Sequence, residues 1–116
     1  MANSTVPNEQ CESETFSQWL TLNNIKHHHG NDNMFTRSWG QKIKMKKAGF
    51  SKGYPDFTVI TRQGLLFIEM KRAKKSLSHI SDEQKEWLEA LQGLSGVEAT
   101  VCWGADEAID FVKSFV

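Results

Sequence analysis

Two short apolar segments separated by a polar turn constrain the fold of this 116-residue chain more than any other feature. The first segment covers residues 53–60 (GYPDFTVI) and the second covers residues 65–71 (LLFIEMK), with the sequence TRQG between them. Apolar runs of this length joined by a Gly-containing turn are typical of a β-hairpin. We therefore predict an antiparallel pair of strands at the centre of the molecule.

The register of this hairpin predicts that three charged side chains meet where its strands are farthest from the turn. Side chains alternate between the two faces of a strand, so Glu69 and Lys71 share one face. If residues 62–63 form a two-residue loop, the pairing continues until Asp56 lies opposite Glu69. Their Cβ atoms would then be roughly 5 Å apart.

Two carboxylate charges about 4 Å apart repel each other by about 4 kcal/mol at an effective dielectric constant near 20. A divalent cation between them removes this penalty, and oxygen ligands suit Mg²⁺ or Mn²⁺. Two acids and a lysine around such an ion can hydrolyse a phosphodiester bond, because the metal polarises the phosphate and activates water. The alternative is an ordinary amphipathic hairpin with charged ends, which the spacing alone leaves open.

These residues resemble the PD-(D/E)XK nuclease superfamily and, within it, the VRR-NUC (virus-type replication-repair nuclease) domain. That domain typically contains a G-x-P-D strand, an F-I-E-x-K strand and a Ser-x-x-Gln helix start. The corresponding segments here are residues 53–56, 67–71 and 81–84. The resemblance extends from about residue 10 to the end of the chain.

The resemblance implies roles for individual residues. Asp56 and Glu69, together with the main-chain carbonyl of Met70, would bind Mg²⁺ or Mn²⁺. Lys71 would assist the attacking water, and Gln84 would position Lys71. Gln84 also fits a helix capping box, and the two explanations are compatible.

The first predicted helix, over residues 9–22, carries a further acidic candidate. Glu12 lies four residues before Phe16 and seven before Trp19, on the core-facing stripe, whereas Glu14 points to solvent. A buried acid needs a partner, although attraction to the helix dipole explains its position equally well. Nucleases of this kind often carry a Glu on the first helix, so the resemblance assigns completion of the metal shell to Glu12.

The charges are segregated along the chain, although the net charge is zero. Residues 31–80 carry eleven Lys or Arg against three acids, whereas residues 81–116 carry two against eight. The basic part surrounds the hairpin, and local positive potential favours phosphate binding. We interpret residues 33–52 as a long basic loop that contacts DNA, with a purely solvated loop as the alternative. The candidate DNA contacts are Arg37, Lys42, Lys44, Lys46, Lys47, Lys52, Arg72, Lys74 and Lys75. Residues 29–32 loosely resemble the His-x-x-Asn-Glu segment of many VRR-NUC domains, and this resemblance adds His29 as a substrate contact.

Residues of the kind that bind soft metals are also present. Three histidines occupy residues 27–29, but consecutive strand residues face opposite sides, so at most two could reach one ion. A chance run or phosphate contacts are therefore favoured over a zinc site. Cys11 and Cys102 are far apart and lack metal-type spacing, which predicts reduced, buried thiols.

The order helix, strand, hairpin, helix, strand, helix predicts an α/β fold with a restriction-endonuclease-like core, a central mixed sheet flanked by helices. We expect a disordered tail over residues 1–8 and a single nuclease domain over residues 9–116. The chain has no apolar run long enough to span a membrane and no signal-peptide pattern, which predicts a cytoplasmic protein, in the host cell if it is encoded by a phage.

Taken together, these residues and the resemblance predict a metal-dependent, structure-specific endonuclease of branched DNA, similar to Holliday-junction resolvases and acting as a homodimer. A flap or single-strand nuclease is the main alternative within the enzyme class. Two other classes stay open: a non-catalytic DNA-binding module of the same fold, and a small histidine metal-binding protein.

Overall fold

The computed structural model describes residues 6–30, 43–44, 47, 49 and 51–116. The sheet is flanked by the α-helices α1 (Glu9–Leu22), α2 (Asp82–Gln92) and α3 (Ala105–Lys113). The strands are β1 (His27–His29), β2 (Phe57–Thr61), β3 (Gly64–Lys71) and β4 (Val97–Trp103). They form one sheet in the order β1-β2-β3-β4. In the described part of the chain no helix is long and apolar enough to cross a membrane.

The sheet is mixed, as predicted. β2 runs antiparallel to both β1 and β3, whereas β3 and β4 are parallel. Parallel neighbours require a crossover, and α2 provides it on one face of the sheet. The predicted α/β fold with a central mixed sheet flanked by helices is therefore confirmed.

The hairpin of β2 and β3 has the predicted register. Thr61 pairs with Gly64, and the pairing continues to Phe57 opposite Ile68. One step further along the same register, Asp56 faces Glu69. The two-residue loop expected from the sequence thus fixes which side chains meet at the far end of the hairpin.

Two apolar clusters cover the two faces of the sheet. The larger one joins α1 and α3 to the sheet and contains Phe16, Leu20, Phe57, Val59, Leu66, Ile68, Met70, Cys102, Ala105, Ala108 and Val112. The smaller one joins α2 to the opposite face and contains Phe67, Leu88, Leu91 and Ala99. Since side chains alternate along β3, Glu69 and Lys71 lie on the α2 face with Phe67. Every side chain of β3 from Leu66 to Lys71 is buried, so the charged pair lies inside the molecule.

The two cysteines lie in different environments. Both thiols are free, in agreement with the prediction of reduced cysteines. Cys102 is buried next to β3, and burial, followed by the Glu107 carboxylate, raises its pKa to about 12. Its thiol therefore stays protonated at neutral pH and is a poor nucleophile. Cys11 is exposed, and the prediction that it is buried is wrong.

The start of α2 packs directly on Gly53. This residue has a φ of +91°, and a Cβ atom there would lie 2.7 Å from the main-chain carbon of Glu83 and 2.8 Å from the nitrogen of Gln84. A glycine is needed for both reasons, because a side chain would strain the backbone and push the first turn of α2 away. The glycine of the G-x-P-D segment thus sets the position of Gln84.

We expect Gly53→Ala to lower the free energy of unfolding by roughly 2–4 kcal/mol, from backbone strain and steric overlap together. Gly96→Ala is the matched control, because Gly96 also has a positive φ, +73°, but has no atom within 4 Å of its Cβ position. Urea denaturation of both variants measures the difference. Equal losses would mean that the contact with α2 contributes nothing.

Candidate active site

Asp56 is fixed at the start of β2 by hydrogen bonds from two other segments. Its Oδ2 accepts a hydrogen bond of 2.8 Å from the main-chain N–H of Met70 in β3. Its main-chain carbonyl accepts one of 2.7 Å from Gly30, directly after β1. The side chain is only 3% exposed. Asp56 is therefore held where β1, β2 and β3 meet, at one end of the sheet.

Glu69 receives two partners on the α2 face of the sheet. Its Oε2 lies 3.7 Å from the Nζ of Lys71 and accepts a hydrogen bond of 2.9 Å from the Nε2 of Gln84. Glu69 is 2% exposed and Lys71 is 6% exposed. A lysine ammonium and a carboxylate buried together stabilise each other's charged forms.

Gln84 uses both ends of its side-chain amide. Its Oε1 accepts a hydrogen bond from the N–H of Ser81, and its own main-chain N–H donates to the Ser81 hydroxyl, which completes the predicted capping box. Its Nε2 donates to Glu69. Gln84 therefore bonds the Glu69 oxygen that also faces Lys71, and its role in positioning Lys71 stays a prediction. The capping bond uses the single oxygen of the Gln84 amide, so the NH₂ group of the amide needs an acceptor elsewhere.

A third carboxylate joins Asp56 and Glu69, and it comes from Glu9. Each of the three residues offers an oxygen, and these oxygens lie within 4.8 Å of one another. Glu9 is the first residue of α1, after Asn8, whose side chain caps the helix by accepting from the N–H of Cys11. The sequence did contain a signal for this position, because Glu9 lies seven residues before Phe16 and therefore on the same core-facing stripe as Glu12.

Glu12 has a different environment from the one predicted. It is buried, and its Oε1 accepts a hydrogen bond of 2.9 Å from the N–H of Ala105, the first residue of α3. The residue before α3 is Gly104, which has no side chain with which to cap the helix. Glu12 supplies that acceptor instead, and its charge interacts favourably with the helix N-terminus. Among the described residues, Glu12 joins no cluster of acids, and Glu9 lies beside Asp56 and Glu69 where the resemblance had placed Glu12.

The three clustered carboxylates repel one another if all are ionised. At 4.8 Å and an effective dielectric constant near 20, each pair costs roughly 3 kcal/mol, and burial of two of the three increases the cost. Lys71 supplies one positive charge beside Glu69. The cluster consists only of hard oxygen donors, which fits a small divalent cation such as Mg²⁺ or Mn²⁺. The carbonyl of Met70 stays a predicted further ligand; its N–H is the group that bonds Asp56.

Two histidines of β1, His27 and His29, have contacts within the protein. The Nδ1 of His27 donates to the carbonyl of Ile25 at 2.9 Å, so its Nε2 accepts from the hydroxyl of Ser17 at 3.0 Å. His29 is exposed and its ring stacks on Phe57, with 4.2 Å between centroids and 3° between planes. Since both nitrogens of His27 are bonded, this residue does not fit the histidine metal site that we kept as an alternative.

The basic residues differ in their surroundings. Arg72 is engaged within the protein, since its guanidinium donates to the carbonyls of Val6 and Pro7. The DNA contact expected of Arg72 stays a prediction. Lys74 is exposed, and the Nζ of exposed Lys75 lies 5.6 Å from the centre of the Trp103 ring. Of the other predicted DNA contacts, Lys44, Lys47 and Lys52 are exposed, whereas Arg37, Lys42 and Lys46 lie outside the described residues.

Comparisons with known proteins support this fold. The family model described as "VRR-NUC domain" matches residues 5–106. A solved structure described as "VRR_NUC domain protein" is similar, with a TM-score of 0.75 and 25% sequence identity, over 96% of this chain and 89% of that chain. None of the curated proteins matches the sequence.

Proposed function

The chain belongs to the VRR-NUC domain family, and we propose that it is a metal-dependent, structure-specific DNA endonuclease that cleaves branched DNA. The observation that carries this proposal is the convergence of Glu9, Asp56 and Glu69 beside Lys71 at one end of the sheet. Burying a cluster of acids and a lysine destabilises the folded protein, so such a cluster favours a functional role. Binding a divalent cation next to a phosphodiester is such a role.

Each residue has a role in this proposal. Glu9, Asp56, Glu69 and the carbonyl of Met70 hold Mg²⁺ or Mn²⁺, which when bound would polarise the phosphate and lower the pKa of a bound water. Lys71 orients the attacking water and offsets the negative charge that develops on the phosphate. Gln84 restrains the Glu69 oxygen that also faces Lys71.

The charge distribution supports DNA as the substrate. The short segment after β3 carries exposed Lys74 and Lys75 directly beyond the candidate site, and Lys44, Lys47 and Lys52 are exposed as well. Such residues bind the phosphate backbone without reading its sequence. His29, which ends β1 near Asp56, is a further candidate for a phosphate contact.

Branched DNA presents two strands for cleavage, and the described part of the chain holds one carboxylate cluster of this kind. A two-fold symmetric homodimer would place one site on each strand. We therefore propose a homodimer that acts in the cytoplasm of a host cell on repair or replication intermediates. Short domains of this kind resemble phage enzymes, and the host-cell location rests on that resemblance.

The test is cleavage of end-labelled DNA substrates by the wild type and by Lys71→Ala, in Mg²⁺, in Mn²⁺ and in EDTA. We expect metal-dependent cleavage of a four-way junction, and a rate reduced roughly 10²- to 10⁴-fold in the variant. Lys113→Ala, which removes the same charge from the exposed end of α3, is the control and should cleave normally. Flap, single-stranded and linear duplex substrates complete the panel.

Different results would favour the alternatives. Binding of DNA without any metal-stimulated cleavage would favour a non-catalytic module of the same fold. Preferred cleavage of a flap or a single strand would keep the chemistry and change the substrate. A rate for Lys71→Ala equal to that of Lys113→Ala would overturn the role of Lys71.

A further inference from the structure

The side chain that follows Lys71 ties the start of the described chain to the candidate site. The Nε of Arg72 donates to the carbonyl of Pro7 at 3.2 Å, and one of its terminal nitrogens donates to the carbonyl of Val6 at 3.1 Å. These partners are 65 and 66 residues away in sequence. A planar guanidinium suits two adjacent acceptors, because its N–H groups diverge at fixed angles. The last residues of β3 and the entry to α1 are therefore held together.

The segment held by Arg72 leads directly to Glu9. Pro7 is followed by Asn8, the N-cap of α1, and then by Glu9 itself. One turn further on, Glu12 binds the start of α3 through the N–H of Ala105. The first turn of α1 is thus restrained before and after Glu9. Helix ends fray easily, so the carboxylate of a first helical residue keeps its place only if the chain before it is restrained.

From these contacts we infer that Arg72 is a positioning residue for Glu9, acting through the main chain of Val6 and Pro7. The inference rests on the proposed function, because it gives Glu9 a role in binding the metal. It assigns consecutive residues of one strand end to two tasks: Lys71 pairs with Glu69 inside the cluster, and Arg72 holds the segment that brings in the third carboxylate. Arg72 itself contacts neither metal nor DNA in this view.

The direction in which metal affinity changes when Arg72 is removed distinguishes positioning from simple electrostatics. Arg72 is a cation, and a cation near a metal site repels the metal, so its removal should tighten binding if charge alone mattered. If Arg72 instead holds Glu9 in place, its removal should weaken binding. Loss of a residue that orients a metal ligand typically lowers metal affinity by roughly 10- to 100-fold.

The experiment measures Mn²⁺ binding by calorimetry without DNA, so that no cleavage is required. We expect Arg72→Ala to raise the Kd for Mn²⁺ about tenfold, and Arg62→Ala, at the exposed hairpin turn, to leave it unchanged. The double variant Glu9→Gln/Arg72→Ala should bind no more weakly than Glu9→Gln, because Arg72 then has nothing to position. Tighter binding, unchanged binding or a full additional loss in the double variant would each overturn the inference.

Hydrogen exchange of the metal-free protein gives an independent readout. Loss of the restraint should speed the exchange of the Cys11 and Glu12 amides, which bond the side chain and carbonyl of Asn8, several-fold more than that of amides in α2. Unchanged exchange would overturn the restraint itself. If the wild type bound no Mn²⁺ while exchange still increased, the proposed metal site would fail and the restraint would stand. If Glu9→Gln lowered the affinity but Arg72→Ala did not, only the inference would fail.

Discussion

Asp56→Asn is expected to reduce metal-dependent cleavage on the order of 10³-fold while the protein stays folded. The amide oxygen of asparagine can still accept the hydrogen bond from Met70 that Asp56 Oδ2 accepts now. The remaining group would be an NH₂, which carries no charge and cannot bind a cation. The substitution therefore removes one of three clustered carboxylates without removing the contact that holds β2 to β3.

The same variant should differ from the wild type both in its stability without metal and in the stabilisation that it gains from metal. Without metal it should be more stable than the wild type, because each pair of ionised carboxylates at 4.8 Å costs roughly 3 kcal/mol. With Mn²⁺ at about 100 times its Kd, the wild type should gain about 2.7 kcal/mol, and the variant should gain little. Thermal unfolding with and without Mn²⁺ measures both effects.

Asp110→Asn, on the exposed side of α3, is the control for loss of an acid and should behave like the wild type in both measurements. An Asp56→Asn protein that still cleaves at a wild-type rate would refute the proposed site. A variant that is less stable without metal would show instead that Asp56 serves the fold.

The arrangement of the hairpin could be predicted because it depends on local rules. A two-residue loop sets the register, and the two-residue period of a strand then sets the faces. These rules brought Asp56 opposite Glu69 and placed Lys71 beside Glu69. The capping box at the start of α2 is local in the same sense, since its two partners are three residues apart.

These local rules could not predict which acid of α1 reaches the candidate site. The helical period places Glu9 and Glu12 on the same stripe, so it predicts which side of α1 faces the protein and not which end reaches the site. That end is determined by contacts far apart in sequence, such as those of Glu12 with Ala105 and of Arg72 with Val6. The lack of a capping side chain at Gly104 was visible in the sequence, but the residue that replaces it was not.

The hydrogen-bond partner of the Gln84 side chain also could not be predicted from the sequence. Its place in the capping box follows from the sequence, and the family resemblance implied its position near the end of β3. Its partner depends on where the two ends of the amide point once Ser81 has taken the oxygen. The remaining NH₂ group donates to an acid, and therefore to Glu69 rather than to the ammonium of Lys71.

The two acids of α1 are expected to respond in opposite ways to the same substitution. Glu9→Gln should raise the Kd for Mn²⁺ by roughly tenfold or more and lower cleavage at limiting metal, because it removes one charged ligand from the cluster. Its stability without metal should not fall, since the substitution relieves repulsion.

Glu12→Gln should leave the Kd for Mn²⁺ within about twofold of the wild type, because an amide oxygen can still accept from Ala105 and the Glu9 end of α1 stays in place. Its stability should fall by only about 0.5–1 kcal/mol, the interaction of the charge with the start of α3. Glu12→Ala removes the acceptor as well and should cost roughly 1–3 kcal/mol.

Calorimetric titration with Mn²⁺ and urea denaturation of the three variants test this pair of assignments. A strong loss of Mn²⁺ affinity in Glu12→Gln, with little change in Glu9→Gln, would return the metal-binding role to Glu12. It would also require α1 to lie differently against the sheet, because the Glu12 carboxylate cannot hold the start of α3 and belong to the cluster of Asp56 and Glu69 at the same time.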